Sequence, residues 1–240
     1  LLGALVGSAL LSVLIYLINS IGPNFWIWFA LLSAAFTFCM SMFYASLILP
    51  LFNKLTPLAD GELKTAIETV AQKVNFPLDN VFVMDGSKRS AKANAFFSGI
   101  GKKKKIVLYD TLITNHATEE LVAVLAHEVG HFKKKHIIWS YLISIMQIFI
   151  LLFILSKMVF HENLSIALGG SQQAIHLNLI AFTILFSPIS AITGLFMSML
   201  SRKNEFEADA YAKETFDGNA LSNALKRLSV DSLSNLYPHP

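Results

Sequence analysis

"VLAHEVGHFKKKH", residues 124–136, is the stretch on which the fold turns. It sets His127 and His131 four residues apart, with Glu128 between them. On a helix, residues four apart lie about 40° apart in angle and about 6 Å along the axis. Two imidazoles so placed can share one Zn²⁺ at about 2.0–2.1 Å. Glu128 then stands to one side, where it can take a proton from water without ligating, the logic of H-E-x-x-H as a hydrolytic motif. Gly130, a poor helix former, suits close approach of another segment.

Zinc needs a third protein ligand. The extended pattern H-E-x-x-H-x-x-G-x-x-H fails here, because Lys134 and Ile137 occupy its glycine and histidine positions and His136 is out of register. The other source is a distal carboxylate. "EFEAD", residues 205–209, places Glu205 and Asp209 on one helix face. One of them can ligate while the other holds a ligand histidine by its second ring N–H. Glu207 lies about 200° from Glu205 and is expected to face solvent.

Outward from the motif the chain is strongly apolar: 54% hydrophobic and 15% charged, against about 25% charge in soluble domains. The first charged residue is Lys54. Four uncharged stretches, roughly 1–18, 25–52, 137–156 and 177–200, are long enough to cross a bilayer, and in lipid they must be helices. Residues 1–52 are therefore read as a helical hairpin turning at Ile21-Gly22-Pro23-Asn24, and 137–200 as a second hairpin. Lys and Arg concentrate in 54–136 and after residue 200, with only Lys157 in the loop 157–176, so the positive-inside rule puts 53–136 and 201–240 on the cytoplasmic side. The second hairpin must then return residues 201–214 to the membrane face that His127 and His131 left. Because Leu1 already lies within a span and Pro240 ends the chain abruptly, a fragment of a longer membrane protein is expected, with further spans before Leu1. A secretory signal is not expected, and the lone Cys39 gives no redox information.

The polar insert 53–136 has globular patterning. "GELKTAIETVAQKVN", 61–75, sets Leu63, Ala66, Ile67 and Val70 on one helix face. "VFVMD", 81–85, and "KIVLYD", 105–110, predict strands, with "NAFFSGIGKKKK", 94–105, as a third strand and a hairpin turn. A helix is expected to start at a Thr118 cap with Glu119 and Glu120 in its first turn, and to run unbroken into the third span. His116 and His136 are expected at the surface, Lys102–Lys105 at a solvated turn, and Lys133–Lys135 as an interfacial anchor. His161 and His176 fall on the outer loop. A bend at Pro188 in the fourth span is expected to be tolerated and to open room for substrate.

Taken together, residues 60–113, "AHEVGH" and "EFEADAYA" resemble the type I CAAX prenyl proteases, which are integral-membrane zinc metalloproteases. The likeness covers about 54–235, with three separated motifs in order. It implies a mainly α integral membrane protein whose zincin-like (gluzincin) core carries a small β-sheet between membrane helices. It also implies one Zn²⁺ per chain held by His127, His131 and Glu205, with Glu128 as catalytic base and Asp209 orienting a ligand from behind. Asn94 and Ala95 correspond to an edge-strand element that holds substrate backbone. The family's seven helices enclose a chamber, against four spans here. Many members have histidine where this chain has Lys92. Members also carry a C-terminal oxyanion-stabilising histidine, and His239 in "YPHP" has no assigned role.

The implied partners are a peptide or C-terminally lipidated protein substrate and the lipid bilayer, in the inner membrane of a bacterium or the endoplasmic reticulum of a eukaryote. Nucleic acid is excluded, because the basic runs lack interleaved aromatics. An HtpX-like quality-control protease shares the motif and the four-span count. A metal transporter would need charged residues along a path through the spans, and the spans contain none.

Overall fold

The computed structural model describes residues 2–43, 48–88, 94–98 and 104–231. Its elements in chain order are α1 (Leu2–Ile21), α2 (Phe25–Phe43), α3 (Leu49–Phe52), β1 (Leu55–Pro57), α4 (Glu62–Lys73), β2 (Leu78–Met84), β3 (Ala95–Ser98), β4 (Lys104–Tyr109), α5 (Asp110–Asn115), α6 (Thr118–Lys133), α7 (His136–Met158), α8 (Glu162–Ala167), α9 (Ile175–Thr215) and α10 (Gly218–Asp231). They divide into two compact units: Leu1–Phe38 with Ile138–Leu200, and Cys39–Ile137 with Ser201–Pro240.

The first unit is the apolar one. A 3-10 turn, Gly22–Asn24, separates α1 from α2 at the predicted position, and Gly22 takes the positive φ of +68° that a side chain resists. Among the described residues, three stretches are long and apolar enough to cross a membrane: Gly3–Ser41, His136–Met158 and Ile175–Thr215. The first contains the turn, so its helices of 20 and 19 residues each match the length of one span. Of the predicted span 25–52, residues 44–47 lie outside the described residues, and α3 is a single turn. Ile18, Phe25, Leu152, Leu155 and Phe182 pack together, whereas Trp28, Trp139, Leu195 and Met199 stand exposed. So much exposed apolar surface suits a hydrocarbon environment. Buried Asn178 ties the end of α7 to α8 and α9: its amide donates to Val159 O and His161 O, and its carbonyl accepts from Ser165. Helix α9 runs on through Pro188, which is not a helix break. The Ile184 carbonyl that Pro188 deprives of its backbone donor accepts the Ser187 hydroxyl at 2.9 Å.

The second unit is built around α6. Its sheet has the order β1-β2-β4-β3, with β2 and β4 parallel and both outer strands antiparallel to their neighbours. Alternation sorts β4 between two faces: Ile106 and Leu108 face the core of α4 and α6, while Val107 packs with Leu49 and Met84 on the other side. Residues Leu121–Ala126 of α6 are buried all round, because α4, α9 and α10 surround it along with the sheet. From α4, Ile67 and Val70 pack inward, with Leu63 and Ala66 against them, as the periodicity predicts.

Four local expectations are corrected. Helix α6 begins at Thr118 with Ala117 as the cap residue. Its first turn is held by Glu120, which accepts the Ala117 N–H at 3.1 Å and pairs with Arg227 of α10 at 3.3 Å. It does not continue into the third span. Lys134 N and Lys135 N fold back onto Gly130 O and Phe132 O, Lys135 takes φ +60°, and α7 starts afresh at His136. His116 is buried, its Nδ1–H donating to Leu112 O. Lys104 and Lys105 lie in β4 with their ammoniums over the rings of Phe132 and Phe82. Burial depresses the Lys104 ammonium below its usual range, while Lys102, Lys103, Lys92 and His239 lie outside the described residues.

Candidate metal centre

All the candidate ligands come from two helices of the second unit, and Gly130 sets how closely those helices approach. A Cβ at Gly130 would lie 3.0 Å from the Ala208 Cα and 3.2 Å from both Ala208 O and the Tyr211 Cβ. Only a hydrogen fits there. Ala208 and Ala212, both fully buried, supply the matching small residues on α9.

That approach brings three donor atoms together. His127 Nε2 lies 3.1 Å from His131 Nε2 and 3.3 Å from Glu205 Oε2, and His131 Nε2 lies 3.6 Å from Glu205 Oε2. Tetrahedral ligands about 2.05 Å from zinc stand about 3.3 Å from one another. The observed edges bracket that value, so the donor set fits one ion. Proton placement agrees with it. Asp209 Oδ1 accepts from His127 Nδ1 at 2.8 Å, which leaves a lone pair on His127 Nε2. Two imidazole lone pairs 3.1 Å apart repel each other unless a cation lies between them. Burial, and secondarily the neighbouring His127, pushes the His131 pKa down and favours the neutral, ligating ring.

Glu128 lines, together with the ligand His127, a cavity of about 120 Å³ whose walls include Asn94, Ala95, Val124, Leu221 and Leu225. Burial raises the Glu128 carboxyl to about 7, with the Glu205 charge adding to the rise. Asn94 sits just before β3, its carbonyl accepting Tyr109 N–H and its side-chain oxygen accepting Ala95 N–H. Among the described residues β3 pairs on one side only, with β4, which leaves the other edge of the sheet open beside Glu128. Asn94, Ala95 and Glu128 thus line one cavity with His127, one of the three grouped donors.

Two residues read as solvent-facing belong here too. His136 is buried, its Nδ1 3.0 Å from His131 Nδ1 and its Nε2 3.1 Å from Glu207 Oε2. Glu207 is half-buried and engaged rather than free in solvent. A continuous helix would turn His136 about 140° from His131; the break at Lys134–Lys135 carries it back instead. No local sequence signal marks that break. Lys133 donates to Asn75 O at 3.2 Å, so it braces the unit rather than serving only as an anchor.

Comparison with known proteins agrees with both halves of the chain. Residues 57–240 match the model of Peptidase family M48, and residues 1–54 match that of the CAAX prenyl protease N-terminal region, five membrane helices. A "CAAX prenyl protease 1 homolog" of Dictyostelium discoideum is 39% identical, over 98% of this chain and 55% of its own length. "CAAX prenyl protease 1" of Saccharomyces cerevisiae is 38% identical, over 80% of this chain and 46% of its own. The chain spans about half the length of the curated relatives it matches. A crystal structure of S. mikatae Ste24p superposes with a TM-score of 0.89 at 32% identity, covering 100% of this chain and 59% of that one. The chain belongs to peptidase family M48, the family of the proteases it resembles.

Proposed function

We propose that this chain carries the catalytic site of an integral-membrane zinc endopeptidase acting on C-terminally lipidated, CAAX-type protein substrates from the cytoplasmic side. The observation that carries the reading is the convergence of His127, His131 and Glu205 at ligand spacing with a buried carboxyl, Glu128, beside them. The names of the relatives support the substrate class, and the basic residues of 54–136 support the orientation.

Zinc, when bound by those three residues, supplies Lewis acidity. The remaining work falls to the chain. An extended peptide adds to the open edge of β3, with Asn94 and Ala95 at the position of the scissile bond. An aliphatic side chain next to that bond enters the cavity walled by Val124, Leu221 and Leu225. Glu128 accepts a proton from the attacking water and returns it to the leaving amine. A carboxyl titrating near 7 is matched to both transfers at neutral pH.

The test is a pair of variants of the purified protein. Glu128→Gln should bind zinc like the unsubstituted protein and cleave no peptide; cleavage at the unsubstituted rate would remove Glu128 as the base. Glu205→Ala should lose zinc, and full occupancy in that variant would refute the ligand set.

A further inference from the structure

We infer that His136, held by Glu207, is a positioning residue that fixes the His131 ring as a metal ligand. The inference rests on the zinc reading above and extends it to residues outside the motif.

The proton assignments follow one from another. Glu207 is a carboxylate and only accepts, so the 3.1 Å contact places a proton on His136 Nε2. The neutral His136 ring then has a lone pair on Nδ1. At 3.0 Å, His131 Nδ1 must donate to it. That leaves the lone pair of His131 on Nε2, the atom 3.1 Å from His127 Nε2 and 3.6 Å from Glu205 Oε2. His127 reaches the same state by a direct bond to Asp209. Helix geometry explains the difference. Glu205 and Asp209 occupy one face of α9, a turn apart, where they meet His127, while Glu207 faces the other way. An imidazole bridges the remaining distance between Glu207 and His131.

The surroundings favour this role over simple packing. His136 is buried, so water does not compete for either bond. Its rings meet those of His131 edge-on, with centroids 5.1 Å apart and planes at 74°, an arrangement that aims Nδ1 at Nδ1 rather than stacking the faces. Reaching that place also requires the helix break, with Lys135 at φ +60°, a left-handed conformation that side-chain-bearing residues resist.

Zinc dissociation constants from chelator competition, measured on the detergent-purified protein alongside thermal unfolding of the metal-free state, test the inference. His136→Leu, which keeps the volume and removes the acceptor, should weaken zinc by about 10- to 100-fold, the usual effect of losing a group that orients a ligand. His136→Asn, whose side-chain carbonyl can accept from His131 Nδ1, should restore most of that loss. Glu207→Ala, at a half-exposed position where folding is not at issue, should weaken zinc several-fold, and Glu207→Gln should weaken it less. Zinc affinity within twofold of the unsubstituted protein in His136→Leu or Glu207→Ala would overturn the inference, as would an Asn variant as weak as the Leu one. Failure of the unsubstituted protein to bind zinc would overturn the metal reading itself and this inference with it.

Discussion

Gly130→Ala tests the link between helix packing and the metal centre at a position that touches no ligand. The new methyl would sit 3.0 Å from the Ala208 Cα and 3.2 Å from both Ala208 O and the Tyr211 Cβ. Ordinary carbon contacts begin near 3.5 Å, so α9 must retreat from α6 by about 0.5 Å. Glu205 lies one turn before Ala208 on the same rigid helix and retreats with it. The His127–Glu205 and His131–Glu205 donor separations, now 3.3 and 3.6 Å, would open by a similar amount. Metal–ligand bonds tolerate only about 0.2 Å.

Two energies oppose each other in the metal-free state. Overpacking costs about 1–3 kcal/mol, and the Gly-to-Ala gain in helix propensity returns about 1 kcal/mol. The metal-free variant should therefore lose no more than about 2 kcal/mol of stability. Zinc binding must close the gap again and restore the strain, so affinity should fall about 5- to 100-fold, at 1.4 kcal/mol per tenfold. Chelator competition for zinc, with chemical denaturation of the metal-free protein as control, reads both terms. A Gly130→Ala protein that binds zinc as tightly as the unsubstituted one and is more stable without it would show slack between the helices, and the packing account of the site would fail.

Other perturbations separate other parts of the structure. Asp209→Ala should weaken zinc by about 10- to 100-fold in the same competition assay by freeing the His127 ring, and Asp209→Asn, which keeps an acceptor, by less. At Lys135, φ +60° is tolerated by glycine and resisted by β-branched residues; Lys135→Gly should be near neutral in denaturant unfolding and Lys135→Val destabilising by about 1–2 kcal/mol. For Glu128 the folded-state pKa is raised from 4.5 to about 7, so its contribution is fully present below pH 4.5 and is lost as pH rises through 7. Metal-free Glu128→Gln should therefore match the unsubstituted protein near pH 4.5 and exceed it by roughly 3 kcal/mol above pH 7. A gap that does not widen with pH would mean Glu128 is not held neutral by its surroundings.

The sequence reveals whatever the geometry of one helix decides. His127, Glu128 and His131 are related by spacing alone, and Glu205 and Asp209 likewise; α6 and α9 then bring the two sets together within one unit. Strands β2 and β4 were legible for a similar reason, because alternation within them reflects their two packed faces, whereas the three-residue β1 was not anticipated. His136 and Glu207 were not, since their meeting depends on where α6 stops. Nothing between Phe132 and His136 is glycine or proline, and the fold-back bonds to Gly130 O and Phe132 O are made by backbone atoms every residue has. The stop is set from outside: Lys133 reaches Asn75 O, Phe132 packs edge-on against Phe76, and Tyr211 of α9 joins the same cluster. His116 was misread for the same kind of reason, as its burial comes from tertiary packing with no periodic trace. The contacts that end α6 thus also deliver His136 to His131. A substitution that loosens that cluster, far from any donor atom, should register at the metal before it registers in the sheet.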